Sequence, residues 1–242
     1  MVSIAILTGG SSSEREVALA SAANVADLLK KRFRVKMFDF PKDTESFVAK
    51  RRTFAAAIPL FHGKDGEDGS VQGFLRILGV PFIFSDVAAH ALGLNKSWTK
   101  TIVAKAGLHV ARSHVVSKNE RVVFTDACVI KPIDGGSSIG VTIAKDARAF
   151  NSGLRKAFQQ SDKVMIEKFV SGEEYTVAVM EEKKKLVALP VIAIKPKNAF
   201  FDYQSKYEDG FVQEICPASI SSSLTHRLQN AAVLAHQAIG AR

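Results

Sequence analysis

The chain has 242 residues, of which 47% are hydrophobic and 24% are charged, the ordinary composition of a globular protein with a large core. Lys and Arg outnumber Asp and Glu by 33 to 24, and the resulting net charge of +9 favours an anionic ligand such as a nucleotide. Arginine stripes with interleaved aromatics, apolar runs of about 20 residues and paired cysteines are all missing, so we expect a soluble cytoplasmic protein without nucleic-acid, membrane or zinc binding.

The first 86 residues alternate strand and helix signals. An apolar run at 3–7 predicts a strand, and the helix after it has Ser13 and Glu16 at the spacing of a capping box. A second strand at 34–40 completes a strand–helix–strand unit, so these two strands should be parallel. Further strands are predicted at 54–61 and 81–85, with a helix at 70–78. Residues 1–86 are therefore interpreted as a small α/β domain.

From residue 87 the pattern changes, and residues 87–172 are interpreted as an α+β module that begins with a helix at 87–106. Strands are predicted at 109–116, 121–131, 139–143 and 163–169, with one helix at 146–159.

Residues 173–242 form the last predicted domain, with two strands joined by a charged turn at 181–185. The polar and aromatic loop at 195–213 is too long for a plain connection and has the features of a lid. A helix at 221–240, with Ser223 as one candidate N-cap, has no strand after it, so we expect this domain to be incomplete.

A glycine- and serine-rich loop follows the strand that delivers Lys131. In KPIDGGSSIG, residues 131–140, the glycines let backbone N–H groups approach an anion, and the serine hydroxyls add donors. Lys131 would supply a point charge to a phosphate. The loop is not of the Walker type, since GxxxxGK[ST] is absent and no helix follows. Phosphate binding and a plain hairpin turn remain alternative interpretations.

Residues 164–170 form an apolar strand that is interrupted by the polar pair Glu167 and Lys168. Apolar walls with a polar edge are one way to build an adenine slot, and Glu174 could then hold the ribose hydroxyls. The sequence alone favours the simpler interpretation, a strand that ends in exposed charges.

Two further loops lie at the carboxyl ends of predicted strands, where open α/β sheets bind ligands. The first, residues 9–16, opens a helix whose N-terminus favours anions, although Glu14 could instead accept from a substrate ammonium group. A dinucleotide fingerprint is excluded because GxGxxG is missing. The second, residues 62–69, is glycine-rich around His62, and a calcium loop is rejected because its twelfth position holds Arg76.

In this order, the motifs resemble those of the D-alanine–D-alanine ligase family of ATP-grasp enzymes. The similarity covers the whole chain through GGSSSEREV, LFHGKDGEDGSVQGFL, GLNKSWTK, IKPIDGGSSIGV, IEKFVSGEEYTV and FFDYQSKYEDGFVQEICPA. It implies an α/β protein with an α+β central part, namely an ATP-grasp fold preceded by a Rossmann-like N-terminal domain. It also implies a peptidoglycan-precursor enzyme that couples two D-alanines with ATP through an acyl phosphate.

The resemblance assigns substrate roles residue by residue. Glu14 is expected to meet the ammonium group of the first D-alanine, and His62 is expected to lie near the same molecule. Tyr207, on the lid, should close over the second D-alanine. Glu14, Ser137 and Tyr207 form the expected catalytic set, and Ser138 joins the substrate-binding set.

The resemblance also assigns ATP-binding residues. The expected set is Lys96, Lys131 and Lys206 at the phosphates, Ser137 in the closing loop, Glu167, Lys168 and Val170 at the adenine, and Glu174 at the ribose.

Some features depart from the family pattern. A tyrosine common in the family's lid is Phe201 here, while the retained Tyr207 favours an amine over D-lactate as the nucleophile. The family continues beyond Arg242 with the residues that bind Mg²⁺, so no metal ligand is expected within this sequence and the chain alone should be inactive or nearly so. The alternatives are a non-catalytic nucleotide-binding remnant and a D-alanine–D-lactate-type ligase. Relatives are usually dimers, so a homodimer is also expected.

Overall fold

The computed structural model describes residues 1–196 and 212–242. They divide into two compact units, Met1–Leu94 and Asn95–Gly240. The first boundary therefore falls eight residues after the predicted one, because the helix that follows residue 86 belongs to the first unit. The further division predicted at residue 172 stays a prediction.

The first unit is built on a three-stranded sheet in the order β2-β1-β3, and both pairings are parallel, as predicted for the first two strands. The segment predicted as a strand at 81–85 forms only an isolated bridge from Phe82 to Ala57. The strands are β1 (Ser3–Gly9), β2 (Arg34–Phe40) and β3 (Ala56–Pro59). The helices are α1 (Arg15–Leu29), α2 (Thr44–Lys50), α3 (Ser70–Ile77) and α4 (Val87–Leu94), and Arg51–Thr53 is a 3-10 turn.

Aromatic side chains fill the core of the first unit on one face of this sheet. Phe38 and Phe47 are fully buried, and their ring centroids lie 5.3 Å apart in an edge-to-face arrangement. Phe40 and Phe74 extend the cluster, with centroids 5.8 Å apart. Truncating one such buried ring to alanine costs about 3–5 kcal/mol, so this cluster fixes β2 beside β1, from which the first site loop leaves.

The second unit has the predicted α+β character. A four-stranded antiparallel sheet has the order β4-β7-β5-β6, a three-stranded sheet has the order β12-β11-β8, and β9 and β10 form a hairpin. The strands are β4 (Ser113–Ser117), β5 (Cys128–Pro132), β6 (Thr142–Ala144), β7 (Lys163–Lys168), β8 (Glu174–Thr176), β9 (Val179–Glu182), β10 (Lys185–Ala188), β11 (Ile192–Pro196) and β12 (Val212–Ile215). The helices are α5 (Lys96–Lys105), α6 (Ala147–Phe158) and α7 (Ser222–Ala238).

Two helix boundaries correct the predictions. The helix expected at 87–106 is broken at Asn95, whose side chain accepts hydrogen bonds from Ser97 N and Trp98 N, both at 3.1 Å, and so starts α5. At the start of α7 the N-cap is Ser221 and not Ser223, because Ser221 Oγ accepts from Leu224 N at 3.2 Å.

The predicted lid needs a correction at its edges. Residues 195–196 belong to β11 and residues 212–213 belong to β12, because these two strands pair with each other. Residues 197–211, with Phe201, Lys206 and Tyr207, lie outside the described residues. Within the described part of the chain, no helix has both the length and the apolar character needed to cross a bilayer.

Two helical glycines should respond in opposite ways to alanine. In α6, a methyl group at Gly153 would lie 2.9 Å from both Ile130 Cδ1 and Thr142 Cβ, so Gly153→Ala should lower the free energy of unfolding by about 1–2 kcal/mol. In α3, a methyl group at Gly73 would meet only Val87, at 3.8 Å. Gly73→Ala should therefore raise the free energy of unfolding by about 0.5–1 kcal/mol, because alanine favours the helix more than glycine does. Urea unfolding of both variants measures this, and a gain at both positions would contradict the packing at Gly153.

Candidate functional site

The glycine- and serine-rich loop leaves the end of β5, which delivers Lys131. Ser137 and Ser138 have φ angles of 48° and 58°, in the left-handed region that residues other than glycine rarely adopt. Two adjacent strained residues persist only where the surroundings hold them, and such strain concentrates at ligand sites. A type I′ hairpin turn has the same two positive φ angles, as Lys183 and Lys184 show between β9 and β10, so the choice between anion binding and a plain hairpin turn rests on the side chains around the loop.

Four of the predicted ATP- and substrate-binding residues line one cavity of about 260 Å³: Lys96, Lys131, Ser137 and Ser138. Lys96 lies at the start of α5, where its backbone N–H donates to Ile133 O at 2.9 Å. Its ammonium group donates to Gly135 O at 2.7 Å. Two cations and a loop of small residues around one cavity form a suitable site for phosphate groups. We call this the phosphate cavity.

The Glu167 carboxylate lies between two ammonium groups. Lys131 Nζ donates to Glu167 Oε1 at 2.6 Å, and Lys100 Nζ donates to Glu167 Oε2. Burial raises the pKa of Glu167, but the hydrogen bonds and charges of Lys100 and Lys131 outweigh it and hold that pKa below the ordinary value of 4.5. Lys100 was not predicted as a site residue, because a lone lysine on a helix has no distinguishing sequence signal.

A larger cavity of about 510 Å³ is lined by two of the four predicted adenosine contacts, Val170 and Glu174. Its walls include Ile143, Phe169 and Ala193, and Lys195 from β11 adds a cation that was not predicted. Glu167 and Lys168 are not among the lining residues of this cavity. The structure therefore separates the predicted adenine residues into two places, the cavity wall and the ion-paired end of β7.

Glu14 lies in the first unit at the carboxyl end of β1, and only 5% of it is exposed. It is the N-cap residue of α1 without a side-chain capping bond, so the predicted capping box of Ser13 and Glu16 is wrong. Ser12 has the organising role instead, because its hydroxyl accepts from Glu14 N at 3.2 Å and donates to His62 O at 2.6 Å. Ser12 thereby ties the first site loop to the second.

His62 is positioned by one group on α1 and one group in its own loop. Its Nε2 lies 3.4 Å from Ser21 Oγ, and its Nδ1 lies 3.9 Å from Glu67 Oε1. Glu67 also accepts from Gly63 N at 2.8 Å, which holds the second loop closed. The predicted pair Glu14 and His62 is therefore supported by Ser12, Ser21 and Glu67. Glu67 lies within the quoted motif, but only the folded loop shows its role.

Among the described residues, no group of three or more His, Cys, Asp or Glu side chains is placed to hold a metal ion. The acidic groups near the phosphate cavity are instead paired with protein partners, as Glu167 is with two lysines. Asp134 accepts from Ser161 Oγ at 2.6 Å.

The ion pairs of Glu167 predict a pH dependence of stability. The folded-state pKa of Glu167 is depressed below its ordinary value of 4.5. The ionised carboxylate therefore stabilises the folded state at pH values above 4.5, and this stabilisation is lost as the pH falls through the folded-state pKa. The free energy of unfolding should therefore fall less steeply below pH 4.5 in Glu167→Gln than in the unsubstituted chain. Denaturant melts between pH 3 and 6 measure this, with the exposed Glu182→Gln as control. Equal slopes in all three proteins would contradict the ion pairing.

Comparison with known proteins gives a consistent result along the chain. Residues 90–242 match the family model described as D-ala D-ala ligase C-terminus. The chain is 38% identical over 244 residues to a D-alanine--D-alanine ligase of Halalkalibacterium halodurans, which covers 98% of this chain and 80% of that protein.

Solved structures give the same result. The D-alanine--D-alanine ligase from Bacillus anthracis matches with a TM-score of 0.85 and 29% identity, over 100% of this chain and 80% of that one. A structure of that enzyme complexed with ATP matches with a TM-score of 0.82 and 26% identity, over 100% and 79%.

Proposed function

Because the chain belongs to the D-alanine–D-alanine ligase family, an enzyme family of carbon–nitrogen ligases with the ATP-grasp fold, we propose that it joins two D-alanines with cleavage of ATP. The observation that carries this proposal is the phosphate cavity, where Lys96, Lys131, Ser137 and Ser138 line one volume. Its product, D-alanyl-D-alanine, would serve peptidoglycan synthesis, as in the family.

The proposed reaction has two steps. A carboxylate oxygen of the first D-alanine attacks the γ-phosphorus of ATP, the bond from that phosphorus to ADP breaks, and an acyl phosphate forms. The amine of the second D-alanine then attacks the acyl carbon, so a C–N bond forms, the C–O bond to phosphate breaks, and the amine loses a proton. Phosphate and ADP are the other products.

The residues of this chain would offset negative charge on the phosphates and orient the two substrates. Lys96 and Lys131 would offset the negative charge of the transferring phosphoryl group, which is the main need in phosphoryl transfer. Glu14 would accept from the ammonium group of the first D-alanine, and His62 would lie beside that molecule. Tyr207 and Lys206 keep the lid roles that the resemblance implies.

The nucleotide would use both cavities of the second unit. Its phosphates fit the phosphate cavity, and its adenosine fits the larger cavity, where Glu174 can accept from the ribose hydroxyls. The Glu167 oxygens each accept from one lysine, so Glu167 would act on the phosphates by holding these lysines. Lys168 and Val170 keep their predicted adenine contacts.

The test is ATP-dependent phosphate release by this chain in a magnesium-containing buffer, with and without D-alanine, with the dipeptide identified by mass spectrometry. D-alanine-dependent release with formation of D-alanyl-D-alanine supports the proposal. Release that requires D-lactate, with an ester product, would instead support the D-alanine–D-lactate-type alternative. Binding of ATP without any turnover would support a nucleotide-binding remnant. The variant Lys131→Met serves as the control for background ATP hydrolysis.

A further inference from the structure

Lys100 is the residue near the phosphate cavity that neither the motifs nor the proposed roles explain. It lies on α5, one turn after Lys96, and its side chain is only 17% exposed. Its ammonium group donates to Glu167 Oε2 and to Ala111 O, the latter at 2.6 Å. Lys100 is not among the residues that line the phosphate cavity. An effect on a bound phosphate would therefore come through Glu167 or through the field of the Lys100 charge, and a Glu167→Gln background separates the two.

The sharing of one carboxylate by two lysines changes the charge that remains for a ligand. A half-buried pair of Lys131 and Glu167 alone would be neutral, and the carboxylate would compete with phosphate for the ammonium group. With Lys100 on the second oxygen, the three side chains carry one net positive charge. Each Glu167 oxygen then has its own cation, which fixes the carboxylate in one orientation.

We propose that Lys100 is a positioning residue for nucleotide phosphates, acting through Glu167 to keep Lys131 oriented and its charge available in the phosphate cavity. This inference rests on the proposed function, since it requires ATP at that cavity. Lys100 touches neither the substrate nor the reacting atoms and is not a catalytic residue. The depressed pKa of Glu167 is consistent with this arrangement, because both lysines favour the ionised carboxylate.

A merely structural role for Lys100 predicts something different. The bond to Ala111 O and the ion pair to β7 also fasten α5 to the four-stranded sheet. If fastening were the whole role, replacing Lys100 would lower stability and weaken every ligand of the site alike. A positioning role instead weakens ligands that carry phosphates and spares adenosine, which makes no use of the Lys131 charge.

The experiment compares Lys100→Met with Lys105→Met, which removes the same charge from an exposed position on the same helix. Binding of the β,γ-imido analogue of ATP and of adenosine is measured by calorimetry or competition. Lys100→Met should weaken the ATP analogue about five- to tenfold and adenosine by less than about twofold. Lys105→Met should change the binding of both ligands by less than about twofold. Lys100→Arg, which keeps the positive charge, should bind the ATP analogue as the unsubstituted chain does.

The dependence on Glu167 is tested by repeating Lys100→Met in a Glu167→Gln background, where its effect on the ATP analogue should fall below about twofold. Equal weakening of both ligands, or an undiminished effect in that background, overturns the inference and leaves the proposed function standing. If the unsubstituted chain does not bind the ATP analogue, the proposed function fails and the inference fails with it. Lys100→Gln replaces Lys100→Met if melting shows that the latter does not fold.

Discussion

Replacement of Glu14 by glutamine should lower kcat/KM for D-alanine about a hundredfold while leaving the affinity for an ATP analogue unchanged. Glu14 is 5% exposed, so in the proposed role its carboxylate would meet the substrate ammonium group in a place where water compensates poorly for a lost charge. Removing one partner of a buried, hydrogen-bonded charge pair costs about 2–5 kcal/mol, and a hundredfold loss corresponds to about 2.7 kcal/mol. Steady-state kinetics at varied D-alanine measures the effect.

The matched control is Glu16→Gln, which removes the same charge two residues later on the exposed face of α1. It should change kcat/KM by less than about twofold, because an exposed charge interacts weakly through water. A similar loss in both variants would show that the general field at the start of α1 matters, and not the Glu14 carboxylate. An unchanged kcat/KM in Glu14→Gln would remove Glu14 from the substrate site.

The packing around Glu14 explains why a glycine, Gly63, follows His62 in the second site loop. A methyl group on Gly63 would lie 2.9 Å from Glu14 Oε2 and 3.2 Å from Ser12 Cβ. The backbone of the second loop therefore approaches the first loop as closely as a residue without a side chain permits. The position of both loops at the carboxyl ends of strands can be predicted from the sequence. The contacts between the two loops cannot, because residues about 50 positions apart leave no local signal.

Local patterns predicted some elements well and others poorly, for identifiable reasons. The strand at 34–40 has the predicted bounds, because polar and apolar residues alternate along most of it, as in a half-buried strand. Helix α2 was missed, since seven residues are too few to display helical periodicity. The helix at 87–106 was joined across Asn95, because a capping asparagine between two apolar helices resembles an ordinary helical position when its hydrogen bonds are unknown.

The nucleotide site shows a similar division between local and long-range information. Lys131 and the serine loop are adjacent in sequence, so a local argument could connect them. Lys96 and Lys131 are far apart along the chain, and the family resemblance alone grouped them before the structure placed both at one cavity. Glu167 was expected at the adenine, yet its carboxylate is bonded to Lys100 and Lys131, which no pattern of spacing indicated.

A large loss of stability from a single methyl group is expected at Gly9, the last residue of β1. Gly9 has a φ of +98°, and a methyl group there would lie 2.3 Å from Asp39 Oδ1 and 2.6 Å from Phe40 O. Positive φ costs a residue with a side chain about 1–2 kcal/mol, and relief of the clash adds about 1–3 kcal/mol. Gly9→Ala should therefore lower the free energy of unfolding by about 2–5 kcal/mol in urea melts.

Gly79→Ala separates the two contributions, because Gly79 also has a positive φ, +65°, but a methyl group there meets nothing within 4 Å. It should cost only about 1–2 kcal/mol, so the difference between the two variants measures the clash at the end of β1.

The clash matters for the site, because Asp39 also holds Arg15 through an ion pair of 2.7 Å at the start of α1. Moving Asp39 to admit the methyl group would disturb the turn that carries Glu14, so Gly9→Ala should also weaken D-alanine binding, whereas Gly79→Ala should not. Equal losses of stability in both variants would show that the carboxylate moves freely and that β1 and β2 are less tightly packed at this end than the distances indicate.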